Sequence, residues 1–159
     1  MNEKLTVYIG YDSSNYGQRL AYDVCERSIR KFNSKIVIKK IDRKELIEKN
    51  IFTRKENTGS TEFTYTRFLV PFLNDYKGWA LFCDSDFVWD CNILDVYEKY
   101  ANDKFAVSCV KHDFTNCNSN TKMDGKKQEF YPRKNWSSLM LFNCSHDSVK
   151  NLTPESVSN

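Results

Sequence analysis

The stretch "WALFCDSDFVWD" (79–90) limits the possible folds more than any other. Its first part, Trp79 to Cys83, is apolar throughout, with no polar alternation. A strand with one face in water alternates, whereas an unbroken apolar run reads as a strand covered on both faces. A sheet with helices on both sides follows. The run then ends in Asp84, Ser85 and Asp86. Acids are rarely buried unless something pairs with them, so the partner of these two carboxylates decides the function.

The flanking segments supply the rest of an α/β domain. "KLTVYIG" (4–10) is a strand ending in Gly10, followed by the loop "YDSSNYGQ". From 19 to 32 the apolar residues Leu20, Ala21, Val24, Cys25, Ile29 and Phe32 recur at helical spacing. "KIVIKKI" (35–41) alternates as a strand, with Ile36, Ile38 and Lys40 on one face, and "DRKELIEK" is a short helix with Asp42 as its N-cap. This β-α-β opening favours parallel strands. "NIFTRKENTGS" (50–60) is a polar loop, and "TEFTYTRFLVPFLNDY" is a helix that bends or restarts at Pro71. After the central strand come a helix at 92–100, a strand "KFAVSCV", a long polar loop "KHDFTNCNSNTKMDGKKQ" (111–128), a strand "SSLMLFN" and a helical start "HDSVKNL". The reading is one domain over 1–159, with 151–159 a flexible tail.

Composition narrows the class. At 159 residues with 40% hydrophobic content, folding of one domain buries roughly 70% of the unfolded surface. The 24 basic and 21 acidic residues are mixed along the chain, which gives no basic stripe for nucleic acid. No segment has the length of a signal peptide or a transmembrane span. Cys25, Cys83 and Cys109 fall within predicted elements, as small reduced core residues do. The expectation is therefore a reduced, cytoplasmic protein, and the Asn-x-Ser/Thr triplets at Asn135, Asn143 and Asn151 carry no meaning there. A zinc site from Cys109, His112 and Cys117 would need an irregular spacing.

If the strand persists through Asp84 and Asp86, the two side chains project to one side. Ligands of open α/β sheets bind beyond the carboxyl ends of the strands. Two like charges held there repel, and desolvation sharpens the conflict. A divalent cation removes it, and Mg²⁺ typically takes one or two carboxylates plus substrate phosphates. The pair predicts a metal–phosphate site with Mn²⁺ or Mg²⁺; the plain alternative is a solvated turn with two surface acids.

Four stretches in this order, "VYIGYDSSN…AYDVCERSI", "FTYTRFLVPFL", "ALFCDSDFVW" and "KNWSSLMLFNC", resemble the Asp-x-Asp glycosyltransferases of the GT-A fold, particularly those related to family 8. The resemblance runs from Val7 to about Cys144. It implies a GT-A-type, Rossmann-like mixed sheet with helices on both faces, and transfer of a sugar from a nucleotide-sugar donor, expected to be a UDP-sugar. The acceptor, a glycan, lipid or protein, is not named by the sequence. The resemblance also implies roles. Gly10, Tyr11 and Asp12 lie on the nucleotide side, the ring to stack on uracil and the carboxylate to accept from its N–H. Arg67 reaches the diphosphate, Asp84 and Ser85 the nucleotide-sugar, and Asp84 with Asp86 the metal. Trp136, Ser137 and Ser138 line the sugar and acceptor pocket. Each has a plainer reading: Tyr11 as a helix-packing aromatic, Asp12 as a turn residue, Arg67 as a surface arginine, Trp136 as a buried strand residue. The loop before Gln128 is a candidate lid.

The pattern departs from the family in one respect. Members of this kind supply a third metal ligand, often a histidine, from a segment beyond the last strand, and neither His112 nor His146 occupies that place. A partner, an oligomer or water would then complete the site, or the domain binds nucleotide without catalysis. "DSDFV" also fits the nucleophile loop of haloacid-dehalogenase-type phosphatases. That family carries the motif on its first strand, whereas two βα elements precede it here.

Overall fold

The computed structural model describes residues 5–56, 59, 61–112 and 134–159. The long loop read as a candidate lid, its lysines and Cys117 lie largely or wholly outside the described residues. In chain order the elements are β1 (Thr6–Tyr11), α1 (Tyr16–Phe32), β2 (Val37–Asp42), α2 (Arg43–Glu48), a 3₁₀ turn (Thr66–Leu69), α3 (Val70–Leu73), β3 (Trp79–Cys83), α4 (Ile93–Tyr100), β4 (Val107–His112), β5 (Lys134–Asn143), a second 3₁₀ turn (Asp147–Asn151) and α5 (Pro154–Ser158).

The five strands form one sheet in the order β2-β1-β3-β5-β4. β1 runs parallel to both β2 and β3, while β5 is antiparallel to β3 and β4. β1 therefore leads outward to β2 on one side, and the chain returns to place β3 on the other. That reversal makes the carboxyl ends of β1 and β3 a topological switch point, where open α/β sheets leave a crevice.

β3 is buried along its whole length, as its unbroken apolar run requires. Its alternate residues feed two cores. Leu81 and Cys83 join Val7, Ile9 and Leu141 under Tyr22, Cys25 and Ile29 of α1 and Ile93 of α4. Ala80 and Phe82 join Tyr8, Met140 and Phe142 against Leu46, Phe52, Phe63, Leu69 and Val70 on the other side.

Local signals set the helix ends. Asn15 caps α1, its side chain accepting from the Gln18 N–H, and Arg30 and Lys31 sit in the last turn, where basic groups suit the helix dipole. Asp42 caps α2 as expected, accepting from the Lys44 N–H at 3.0 Å. The segment before Pro71 is a 3₁₀ turn, and the α-helix restarts with the proline in its first turn, where its missing N–H costs nothing.

Several expectations are corrected. The buried stripe of α1 is Tyr22, Cys25 and Ile29, whereas Leu20, Val24 and Phe32 are exposed. Helical spacing alone does not say which of two apolar stripes meets the sheet, and the register of Cys25 over Cys83, 3.9 Å between sulfurs, settles it. Lys40 does share a face with Ile36 and Ile38, as expected; its ammonium lies over the rings of Tyr11 and Tyr22 on the α1 side of the sheet. Cys109 is exposed beside an irregularity between β4 and β5, while Cys25, Cys83 and Cys144 are buried free thiols. Residues 154–158 of the supposed tail form a capped helix, in which Thr153 and Ser156 exchange side-chain-to-backbone hydrogen bonds.

Gly10 is fixed by packing. A Cβ at that position would stand 2.6 Å from the ring of Phe63, which is wholly buried in the second core. Gly10→Ala is expected to lower the unfolding free energy in urea by ~1–3 kcal/mol, the usual range for overpacking. Gly17, on α1 with only the Asn15 side chain near its missing Cβ, should accept alanine with a change within ~1 kcal/mol. Equal effects at both positions would contradict this packing.

Candidate functional site

The site grows from the ends of β1 and β3. Ile9 pairs with Cys83 across the two strands, so Gly10, Tyr11 and Asp12 run on beyond β3's last pair beside Asp84, Ser85 and Asp86, with Gly10 and Tyr11 still paired to β2. The strand does not persist through the acids. It stops at Cys83, and the Phe87 N–H donates to the Asp84 carbonyl at 3.4 Å, closing a turn. Strand alternation therefore does not set the two carboxylates: Asp84 is largely buried and Asp86 is exposed.

Three bonds seat this turn. The Asp84 N–H donates to the Ser138 carbonyl of β5 at 2.9 Å. The Ser85 hydroxyl, on a residue only 1% exposed, donates to Oε1 of Gln18 on α1 at 2.5 Å. Farther on, the Trp89 N–H donates to the Ser28 hydroxyl at 3.0 Å. The 84–89 segment thus runs along α1.

Arg67 is the charge beside Asp84. It is 5% exposed, far from the surface arginine of the plainer reading. Its Nε donates to the Phe63 carbonyl at 3.1 Å, and its Nη1 to the Ser137 carbonyl at 2.7 Å and the Ser137 hydroxyl at 3.2 Å. The guanidinium also lies over the rings of Phe82 and Phe63, at 5.1 and 5.6 Å. Nη1 stands 3.2 Å from Asp84 Oδ1, yet that oxygen is buried and, among the described residues, has no hydrogen-bond donor aligned to it. The arginine directs its N–H groups to carbonyls and gives the carboxylate charge without a hydrogen bond. Burial pushes the Asp84 carboxyl up to about 7; Arg67 opposes the shift and Asp86 adds to it. Burial also lowers the Arg67 guanidinium from its ordinary range, with Asp84 and Asp86 raising it again.

Among the predicted site residues, the structure brings together Asp84, Ser85, Arg67, Ser137 and Ser138. The register jump between Cys109–Met140 and Val110–Trp136 marks a bulge in β5 at 137–139, beyond which pairing with β4 resumes, and within it the Ser137 and Ser138 carbonyls accept from Arg67 and the Asp84 N–H. The Ser138 hydroxyl is buried without a partner among the described residues. Trp136 is 40% exposed and is not the buried strand tryptophan of the plainer reading. Tyr11 packs edge-on against Tyr22 at 5.2 Å, and Lys40 sits 4.4 Å from its ring centre, so helix packing occupies much of the ring expected to stack on a base. Asp12 Oδ1 accepts from both the N–H and the hydroxyl of Ser14, a turn that leads into the Asn15 cap. Asp12 also borders a cleft of about 330 Å³ with Asp42, Arg43 and Glu62. His146 is at the opposite end of the sheet, past Asn143, with its Nδ1 accepting from the Ser148 N–H.

Sequence reading missed Gln18 and Phe63. The pattern Asn15-x-x-Gln18 marks Gln18 as the third residue of a helix, but nothing in it points the side chain at Ser85.

Asp84 and Asp86 fit a hard divalent cation. Both are oxygen donors, and Asp84 offers a buried oxygen with no hydrogen bond to lose. Among the described residues, no group of three His, Cys, Asp or Glu side chains gathers to hold a metal, so substrate phosphate or water would fill the remaining positions.

The fold is the mixed α/β GT-A type of glycosyltransferases. Its sheet overlays on apo mouse xyloside xylosyltransferase 1 with a TM-score of 0.54 at 14% identity, covering 96% of this chain and 73% of that one. It also overlays on the apo form of the glycosyltransferase GlyE of Streptococcus pneumoniae TIGR4, with a TM-score of 0.49 at 15% identity over 89% of this chain and 34% of that one. In sequence, Protein CDI of Arabidopsis thaliana is 44% identical over 153 residues, 95% of this chain. The chain spans 57% of the length of that curated relative. No family model matches the chain. No described helix is long and apolar enough to cross a membrane.

Two results should follow from the buried pair, the second read at about pH 8, where Asp84 is ionised in the wild type. Because the folded-state pKa of Asp84 is raised, its contribution to stability is full below the ordinary value of 3.8 and is lost as pH rises through about 7. Relative to wild type, Asp84→Asn should therefore gain stability between about pH 4 and pH 8, by up to ~4 kcal/mol in urea titrations. A pH-independent difference would contradict the assignment. Arg67→Ala should cost ~3–5 kcal/mol, since it leaves a buried carboxylate without its counter-charge.

Proposed function

We propose that this chain is the donor-binding domain of a metal-dependent glycosyltransferase that takes its sugar from a nucleotide-sugar, with a UDP-sugar as the first candidate. The observation that carries this reading is the Asp84–Asp86 turn at the switch point of a GT-A sheet, with a buried Asp84 oxygen that no donor satisfies. In the reaction class proposed, the bond between the anomeric carbon and the diphosphate oxygen breaks, the acceptor oxygen bonds to that carbon, and the acceptor loses its proton. Asp84 and Asp86 would hold Mn²⁺ or Mg²⁺, which when bound supplies neutralisation of the charge developing on the leaving diphosphate.

The chain's own residues do the rest. Arg67 stands 3.2 Å from Asp84 and keeps a fixed positive charge at this edge of the sheet. It also holds β5 against the turn, through its bonds to Ser137. Preorganised charge of this kind stabilises a transition state without rearranging during the reaction. The phosphatase alternative is disfavoured by topology, because the Asp-Ser-Asp turn follows the third strand in chain order.

The test is thermal unfolding with a panel of nucleotides and sugar nucleotides, with and without Mn²⁺, on wild type and Asp86→Asn. A ligand at about 100 times its Kd stabilises the fold by ~2.7 kcal/mol, which for a chain of this size moves Tm by about 5–10 °C. The expected result is a shift with a uridine nucleotide that requires Mn²⁺ and is lost in Asp86→Asn. No shift with any nucleotide would overturn the reading. A shift with UDP-sugar but no release of UDP on adding acceptors would reduce it to nucleotide binding.

A further inference from the structure

We infer that Gln18 is a positioning residue that seats the Asp84–Asp86 turn, and through it sets the affinity of the site for a divalent cation with a nucleoside diphosphate. The inference rests on the donor site proposed above and extends it to a residue on a different element.

Of the three residues in the turn, only Ser85 is fully buried. Its side chain points inward while Asp86 meets solvent, so the middle residue plugs the turn into the protein. The socket is Oε1 of Gln18, at 2.5 Å. Gln18 is itself held: its N–H donates to the Asn15 cap at 3.2 Å, and α1 is anchored to the sheet by Tyr22, Cys25 and Ile29. Ser28, ten residues along the same helix, takes the Trp89 N–H. At 1.5 Å per residue the two tie points are about 15 Å apart. α1 therefore fixes both ends of the segment that carries the acids, and Gln18 holds the end where the acids are. The remaining tie, from the Asp84 N–H to Ser138, restrains backbone only. Mutation of groups that hold metal ligands in place from behind typically costs about 10–100-fold in metal affinity.

The experiment compares wild type, Gln18→Met and Gln18→Met/Ser85→Ala. Gln18→Met keeps the side-chain length and removes the acceptor, stranding a buried hydroxyl; the double variant removes both partners, which relieves the stranded group. Two readouts are taken. The first is amide hydrogen exchange by NMR in the ligand-free protein. The expected result is that the Asp84 and Phe87 amides exchange about tenfold faster in both variants, while the Val7 and Tyr8 amides of β1 are unchanged. The second is titration with Mn²⁺ and UDP. Kd should rise about tenfold in Gln18→Met and stay raised in the double variant, although its Tm recovers toward wild type. Val149→Ala, at a buried position in the second 3₁₀ turn at the opposite end of the sheet, should lower Tm and leave Kd unchanged.

Unchanged exchange in the turn overturns the inference, whatever the ligand does. So does a Kd that returns with Tm in the double variant, because Gln18 would then act only on stability. If wild type binds no Mn²⁺ and UDP while exchange in the turn accelerates as expected, the donor-site reading fails and the seating of the turn by Gln18 stands.

Discussion

A guanidinium buried at the edge of the sheet has to be satisfied by whatever surrounds it, and much of this domain's middle is arranged to do so. Arg67 draws its partners from three separate stretches: the Phe63 carbonyl one turn earlier, the Ser137 carbonyl and hydroxyl on β5, and the Phe82 ring with the Asp84 carboxylate at the end of β3. Burial of such a charge without partners is among the costliest errors a fold can contain. Its satisfaction therefore locks the segment before Pro71 to the two strands that flank the turn. Gly10 belongs to the same arrangement, since its missing side chain admits the Phe63 ring against β1.

The electrostatic balance that results is uneven. One guanidinium faces two carboxylates, and the nearer carboxylate receives charge from it without a hydrogen bond. Burial makes Asp84 hard to ionise; Arg67 opposes that shift and Asp86 adds to it. A divalent cation at this point would relieve both acids at once. The opposite end of the sheet offers a useful contrast. A cleft of about 470 Å³ there also carries acids, Asp103 and Asp147, beside His146. Asp147, however, is fully exposed and bonded to Lys150, which holds its carboxyl below the usual range. Asp147 thus has its own exposed counter-charge, whereas at the other end one buried guanidinium serves two carboxylates.

Much of the fold was legible because apolar pattern and caps report local structure directly. The unbroken run at 79–83 announced the central strand, Asp42 announced α2, and Pro71 announced the restart of a helix. What the pattern could not carry was long-range. Leu20 and Val24 obey helical spacing as well as Cys25 and Ile29 do, and only the sheet beneath α1 decides which stripe is buried. The seat of the turn after Cys83 includes a bond from the Asp84 N–H to the Ser138 carbonyl, more than fifty residues away. The two acids were visible in the sequence as a site. The burial of Arg67 and the reach of Gln18 to Ser85 were not, because each is a contact between elements whose approach no local signal encodes.

The most direct test of the central claim is crystallographic. Crystals grown with Mn²⁺ and UDP, measured near the manganese absorption edge, show where the cation binds by anomalous scattering. The account predicts a single strong peak bonded to carboxylate oxygens of Asp84 and Asp86, with diphosphate oxygens completing its shell. Density for UDP elsewhere, or a manganese peak at the Asp103 and Asp147 end of the sheet with none at Asp84, would contradict it.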